Sequence, residues 1–240
     1  MILYCKVTKD TAEALARELN LPYKNVFQEP LNERPRKVIR WGVGVGLGYV
    51  PNLVVNKMKA VNKATNKLKA VELFTIAGVR TAQLGEAVPC VGRTRTHTQG
   101  NNFWLCWEEE QVRTARMEGA EYFIKYIPIK QEYRVHILGG VFSFAQRKYP
   151  RDRVSSAFMG IQGFANHWHK KIYTGHVPQD VITTAVNAVN CLGLDFGGVD
   201  ILVSQDDGLA YVAEVNTGPA LPTEEVRRPY VNYFIEKLDL

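Results

Sequence analysis

Apolar and polar positions along the chain follow two periods, and each change of period marks an element. Residues 2–7 (Ile-Leu-Tyr-Cys-Lys-Val) read as a strand, residues 11–20 carry the apolar spacing of an amphipathic helix behind the caps Thr8 and Asp10, and residues 37–41 read as a second strand. Together they predict a short N-terminal α/β lobe over residues 1–55. A helical pattern then runs over 54–77 and stops at Gly78, a residue type that closes helices in the left-handed conformation. Residues 88–93, 121–128, 132–137 and 141–148 read as strands. Residues 181–192 form the last helix before a C-terminal pair of strands, and 223–237 form a terminal helix.

That final strand pair breaks the apolar pattern in an informative way. Gly198-Val199-Asp200-Ile201-Leu202-Val203 is followed by Asp206-Asp207-Gly208 and then by Tyr211-Val212-Ala213-Glu214-Val215-Asn216-Thr217-Gly218-Pro219. Side chains alternate along a strand, so Glu214 and Asn216 share a face two steps (~6.6 Å) apart. A hairpin turning at Asp207 places Asp200 directly opposite Glu214 on that face. Like charges in that position destabilise a sheet unless a cation lies between them, and an all-oxygen donor set suits Mg²⁺ bridging phosphates. The alternative is a half-exposed hairpin whose acids are solvated.

Composition permits an enzyme without requiring one. With 240 residues, 46% of them hydrophobic, the chain can bury one sizeable core or two small ones. No run of eighteen apolar residues and no basic-then-apolar leader occurs, so neither a membrane span nor a secretory signal is expected and the cytoplasm is the default, host cytoplasm if the protein is viral. Cys5, Cys90, Cys106 and Cys191 are widely spaced and read as reduced, inert thiols. The net charge of +6 fits a site for a polyphosphate and equally a nucleic-acid face, and charge alone does not establish nucleic-acid binding. The glycine run 42–48 lacks a following helix and reads as a flexible loop. His167, His169 and His176 have no acidic or cysteine partner nearby, which argues against zinc. The sequence contains no nucleophile elbow, no Walker-type loop, no zinc-hydrolase helix and no internal repeat, which favours catalysis by position and fixed charge.

The pattern Gly-x-Asp followed by Glu-x-Asn-x-x-Pro resembles the C-terminal core of the ATP-grasp superfamily. The likeness extends over about residues 56–225 and is similar in particular to the short ribosomal-protein-modifying and phage-encoded members. It implies an α+β ATP-grasp fold, with α+β subdomains at about 56–127 and 128–240 clasping ATP behind the short N-terminal α/β lobe. The activity implied is an ATP-dependent ligase forming an amide or peptide bond from a small-molecule or peptide carboxylate and an amine through an acyl phosphate, with release of ADP and phosphate; the alternatives are a kinase of the same fold that phosphorylates a hydroxyl, and a non-catalytic basic module of that fold that binds nucleic acid or protein. The ligase's metal would be Mg²⁺, as two ions replaceable by Mn²⁺, held by Asp200, Glu214 and Asn216. Phosphate contacts fall to Lys67, in an Asn-Lys pair that opens a helix, to Arg93 where the family normally has a lysine, and to His97 and Gly100 in the loop 94–105. Phe123, Ile124 and Lys125 correspond to the strand that holds adenine, and Glu132 to a ribose-side contact. Arg134, Arg147 and Asn166 are the implied catalytic set. An arginine inside an apolar strand must be paired or face a site, because burying it alone costs several kcal/mol.

Overall fold

The computed structural model describes residues 2–5, 9–25, 34–44, 46, 51–96, 102–150 and 168–240. Three sheets organise them. The first is parallel, in the order β2-β1-β3-β4, with β1 (Ile2–Cys5), β2 (Tyr23–Asn25), β3 (Lys37–Trp41) and β4 (Leu53–Val55). Helix α1 (Lys9–Glu18) makes the crossover from β1 to β2. The second, antiparallel, is β6-β5-β7, built from β5 (Cys90–Arg93), β6 (Phe103–Cys106) and β7 (Tyr122–Lys125), with α4 (Glu109–Met117) between β6 and β7. The third, also antiparallel, runs β10-β9-β8-β11-β12: β8 (Ile129–Leu138), β9 (Val141–Pro150), β10 (Trp168–Ile172), β11 (Phe196–Ser204) and β12 (Ala210–Asn216).

The helical pattern over 54–77 is divided, not continuous. Leu53–Val55 is the edge strand β4, and Asn56, at φ +60°, turns the chain into α2 (Met58–Thr65). The Asn56 side chain is fully enclosed and accepts from the backbone N–H of Asp195 at 2.8 Å and of Phe196 at 3.1 Å, which ties this turn to the start of β11. A second break falls at Asn66, whose backbone is extended and whose side chain accepts from the N–H of Lys69 at 3.0 Å. Asparagine competes for local backbone donors, so it caps a new helix here instead of continuing the old one. Lys67 therefore opens α3 (Lys67–Ile76). Gly78, at φ +69°, lets the N–H of Val79 reach the carbonyl of Phe74 and ends that helix.

One face of the five-stranded sheet packs Val135, Ile137, Val199, Ile201, Val212 and Val215 against α2, α3 and α5 (Gln179–Leu192). A second core joins the N-terminal sheet to α6 (Glu224–Leu238). At its centre Trp41 stacks on Phe196 with ring centroids 5.2 Å apart and meets the edge of Tyr230 at 5.4 Å. The end of β3 is thereby held against β11, which carries Asp200. Among the described residues no helix is long and apolar enough to cross a membrane.

Candidate functional site

The other face of the five-stranded sheet is polar over most of its centre. Arg134 on β8 pairs in register with Asp200 on β11, and Asp200 pairs with Glu214 on β12. The guanidinium of Arg134 donates to both carboxylate oxygens of Asp200, from Nε at 2.6 Å and from Nη2 at 2.6 Å. Lys148 contacts the carboxylate of Glu132 and lies 3.5 Å from Oδ2 of Asp200. Beyond β12, Lys67 Nζ is 3.3 Å from Oε2 of Glu214, whose Oε1 accepts from the Asn216 amide at 2.9 Å. Three carboxylates and three bases thus form one largely buried cluster.

The electrostatics follow from that neighbourhood. Burial alone would raise the Glu214 carboxyl, but Lys67, with Arg134 and the Asn216 amide, outweighs it and holds the group at about 2. Burial would pull Arg134 and Lys148 down, yet Asp200 and Glu132 keep both above their ordinary values. At Glu132 burial wins over Lys148 and the carboxyl is raised. Among the described residues no group of three or more His, Cys, Asp or Glu side chains is arranged to hold a metal. Asp200, Glu214 and Asn216 together offer the oxygens of two carboxylates and an amide.

Two bulges decide which side chains reach this face. From its turn, the β11–β12 ladder pairs Val203 with Ala210 and Ile201 with Val212, one residue out of the register expected for a turn at Asp207; the extra residue Ala213 then restores the pairing of Asp200 with Glu214. Because of the bulge, Val212 and Val215, three positions apart, both face the core at 2% exposure. Burying each contributes roughly 1.5–3 kcal/mol, which fixes this register firmly. The second bulge corrects the reading of Arg147. In the β8–β9 hairpin, Gly139 and Gly140 both have positive φ and form the tight turn. An unbroken ladder from that turn would set Arg147 opposite Glu132, but the extra residue Ser143 shifts the pairing by one. Arg147 pairs with Tyr133 on the opposite face, over the rings of Tyr149 and Tyr173. Lys148 takes the place facing Asp200.

Across from the cluster stands the three-stranded sheet, and between the two lies a narrow cleft. Its walls include Lys67, Arg93, Tyr122, Ile124, Leu202 and Ala213. The N–H of Lys67 donates to the Arg95 carbonyl at 2.8 Å, which pins the start of α3 beside β5. Arg93 lies over the Phe103 ring at 5.4 Å; burial lowers its pKa against the opposing effects of Tyr122 and Glu214. Of the strand expected to hold adenine, Ile124 lines the cleft, whereas Phe123 turns away into the small core with α4. Lys125 is exposed and lines a second small hollow with Tyr126 and Ile127. The Phe123 carbonyl accepts from Gly85 and the Lys125 N–H donates to Gln83, so these backbone groups are engaged by the 83–85 segment. Tyr122 and Leu202, missed in the sequence, are apolar-strand positions whose facing depends on the register.

The end of β12 is closed by the N-terminal lobe. The N–H of Gly42 donates to the Thr217 carbonyl at 3.1 Å, and a Cβ on Gly218 would stand 2.9 Å from the Gly42 nitrogen. Only glycine permits that approach. His97, Gly100, Asn166 and His167 lie outside the described residues.

No protein-family model matches the sequence, and no curated protein matches it significantly. Solved structures do. D-cycloserine synthetase DcsG superposes with a TM-score of 0.71 over 99% of this chain and 100% of its own, at 13% identity. The ATP-grasp ligase PsnB, solved with the precursor peptide PsnA2 and AMPPNP, gives 0.69 over 100% and 98%, at 14% identity. D-alanine–D-alanine ligase from Bacillus anthracis gives 0.66 over 96% and 90%, also at 14%. With three sheets arranged as above and this likeness over nearly the whole length, the chain has the ATP-grasp fold.

Proposed function

We propose that the cleft binds ATP with Mg²⁺ and that the protein is an ATP-dependent ligase, joining a carboxylate to an amine through an acyl phosphate with release of ADP and phosphate. The observation that carries this reading is the placement of Asp200, Glu214 and Asn216 on one sheet face, with Lys67 and Arg93 facing them from the cleft. An all-oxygen donor set fits Mg²⁺ and two bases fit a polyphosphate. Asp200, Glu214 and Asn216 would hold the ion, which when bound neutralises charge on the phosphate oxygens.

The protein's own groups do the remaining work by position. Ile124, Ile127 and Leu202 offer apolar walls to a base, and Lys67 and Arg93 offer charge to its phosphates. Arg134, with two arms on Asp200, orients that carboxylate and keeps fixed positive charge under the reacting centre. Lys148 holds Glu132 beside it. The turn at Gly42, locked on Thr217 and Gly218, closes the end of β12, and a carboxylate and an amine would meet on that side of the metal position. PsnB was captured with a precursor peptide, which supports a peptide as one class of substrate.

Mass spectrometry of the products formed from Mg-ATP and a pool of amino acids and peptides tests the proposal. ADP, phosphate and a product with the mass of acid plus amine less one water are expected. AMP as the main nucleotide product would contradict the acyl-phosphate route, and a phosphorylated product without an amide would assign kinase chemistry to the site.

A further inference from the structure

The cluster of charges on the sheet face has a balance that bears on how it is loaded. Glu132, Asp200 and Glu214 are matched by Arg134, Lys148 and Lys67, so the ligand-free face is close to neutral. All four oxygens of the two acids that would ligate a metal are engaged. Asp200 gives both to Arg134 and lies near Lys148; Glu214 gives one to Asn216 and the other to Lys67. A neutral cluster exerts little attraction on a cation, and a divalent ion cannot share a carboxylate edge with an ammonium without repulsion.

The bases differ in their freedom to leave. Arg134 and Lys148 are set in the floor of the sheet, and their charges are shared among Asp200 and Glu132. Lys67 approaches from the first residue of α3, lines the cleft and holds a single carboxylate. Its side chain is 12% exposed, on a flexible four-carbon stem.

We propose that Lys67 closes the metal position in the nucleotide-free protein and opens it by exchanging Glu214 for a phosphate group, so that a nucleoside triphosphate and a divalent cation bind cooperatively. This rests on the nucleotide reading of the cleft. When Lys67 turns to phosphate, the sheet face is left with one uncompensated negative charge at Glu214, and that charge attracts the ion. Linkage makes the effect reciprocal: the cation strengthens nucleotide binding by the same factor.

The test uses Mn²⁺ as probe on the full-length protein with and without AMPPNP, with free ion, the Mn–AMPPNP complex in solution and protein-bound ion distinguished by electron paramagnetic resonance. Wild type should bind Mn²⁺ weakly alone and at least about tenfold more tightly with AMPPNP. In Lys67→Met the nucleotide-free affinity should rise by about tenfold and the enhancement by AMPPNP should shrink. The gain should vanish in Lys67→Met/Glu214→Gln, which shows that it acts through Glu214. Lys67→Gln, which keeps a polar group at the position, serves if the methionine variant does not fold. With AMPPNP binding intact, an unchanged Mn²⁺ affinity in both Lys67 variants overturns the exchange alone. Failure of wild type to bind AMPPNP overturns the nucleotide reading and the exchange with it.

Discussion

Arg134 and Asp200 face each other across β8 and β11, joined by two hydrogen bonds of 2.6 Å where neither side chain is more than 8% exposed. A buried pair of this kind is costly to break from one side, because the remaining charge is left without solvent. Arg134→Ala should lower unfolding stability by about 3 kcal/mol, moderated by Lys148 near the same carboxylate. Removing both partners should cost clearly less than the two single losses added, with a coupling of about 1.5 kcal/mol or more in a double-mutant cycle. Additive losses in chemical unfolding would show that the pair is not a unit.

Arg134→Lys separates orientation from charge. Lysine keeps the positive charge but cannot make the two-armed contact, so Asp200 loses its fixed direction. If the site works as proposed, kcat should fall on the order of 10²-fold while nucleotide affinity changes little. A folded lysine variant with near-wild-type turnover would leave Arg134 as a structural residue.

The bulge at Ala213 fits the ladder from the turn to the pairing of Glu214 with Asp200. Deleting Ala213 takes out the extra residue, so an unbroken ladder would still set Glu214 opposite Asp200 and keep Val212 and Val215 in the core. Deleting Tyr211 instead removes the bulge by turning Val212 out of the core and Ala213 into it, which forfeits a buried side chain contributing roughly 1.5–3 kcal/mol. The Ala213 deletion should therefore melt cooperatively and close to wild type, and the Tyr211 deletion clearly lower; the reverse order would contradict this register.

Cys90 lies directly across from Cys106, both fully enclosed. Burial, followed by the neighbouring Cys106, pushes the Cys90 thiol from 9.0 up to about 11. The folded protein therefore keeps this proton after the unfolded chain has lost it. The stabilising contribution is full below pH 9 and is lost as pH rises from 9 to about 11. Urea unfolding at about pH 8 and about pH 10.5 should show a smaller alkaline loss in Cys90→Ala than in wild type. Equal losses would remove this thiol as the cause.

What could be read from the sequence, and what could not, divides along the range of the interactions. Asp200, Glu214 and Asn216 stood out because acids in apolar strands need a reason, and their spacing is local. The choice of Lys148 over Arg147 was not legible: it turns on one extra residue at Ser143, and a bulge follows from packing on both faces of the sheet rather than from the strand's own pattern. The break at Asn66 had a local cause, a side chain able to cap, but the continuous apolar spacing on either side concealed it. Trp41 against Phe196 and Tyr230 brings together residues far apart in the chain, and no periodicity reports such a contact.

Calorimetric titration of AMPPNP, which requires no knowledge of the other substrates, asks whether this cleft is a Mg-nucleotide site built from both sheets. Wild type should bind it saturably in the presence of Mg²⁺. Glu214→Gln, from the five-stranded sheet, and Arg93→Met, from the three-stranded one, should each lose about tenfold or more in affinity while remaining folded. No binding to wild type, or equal affinity in both folded variants, would contradict the account.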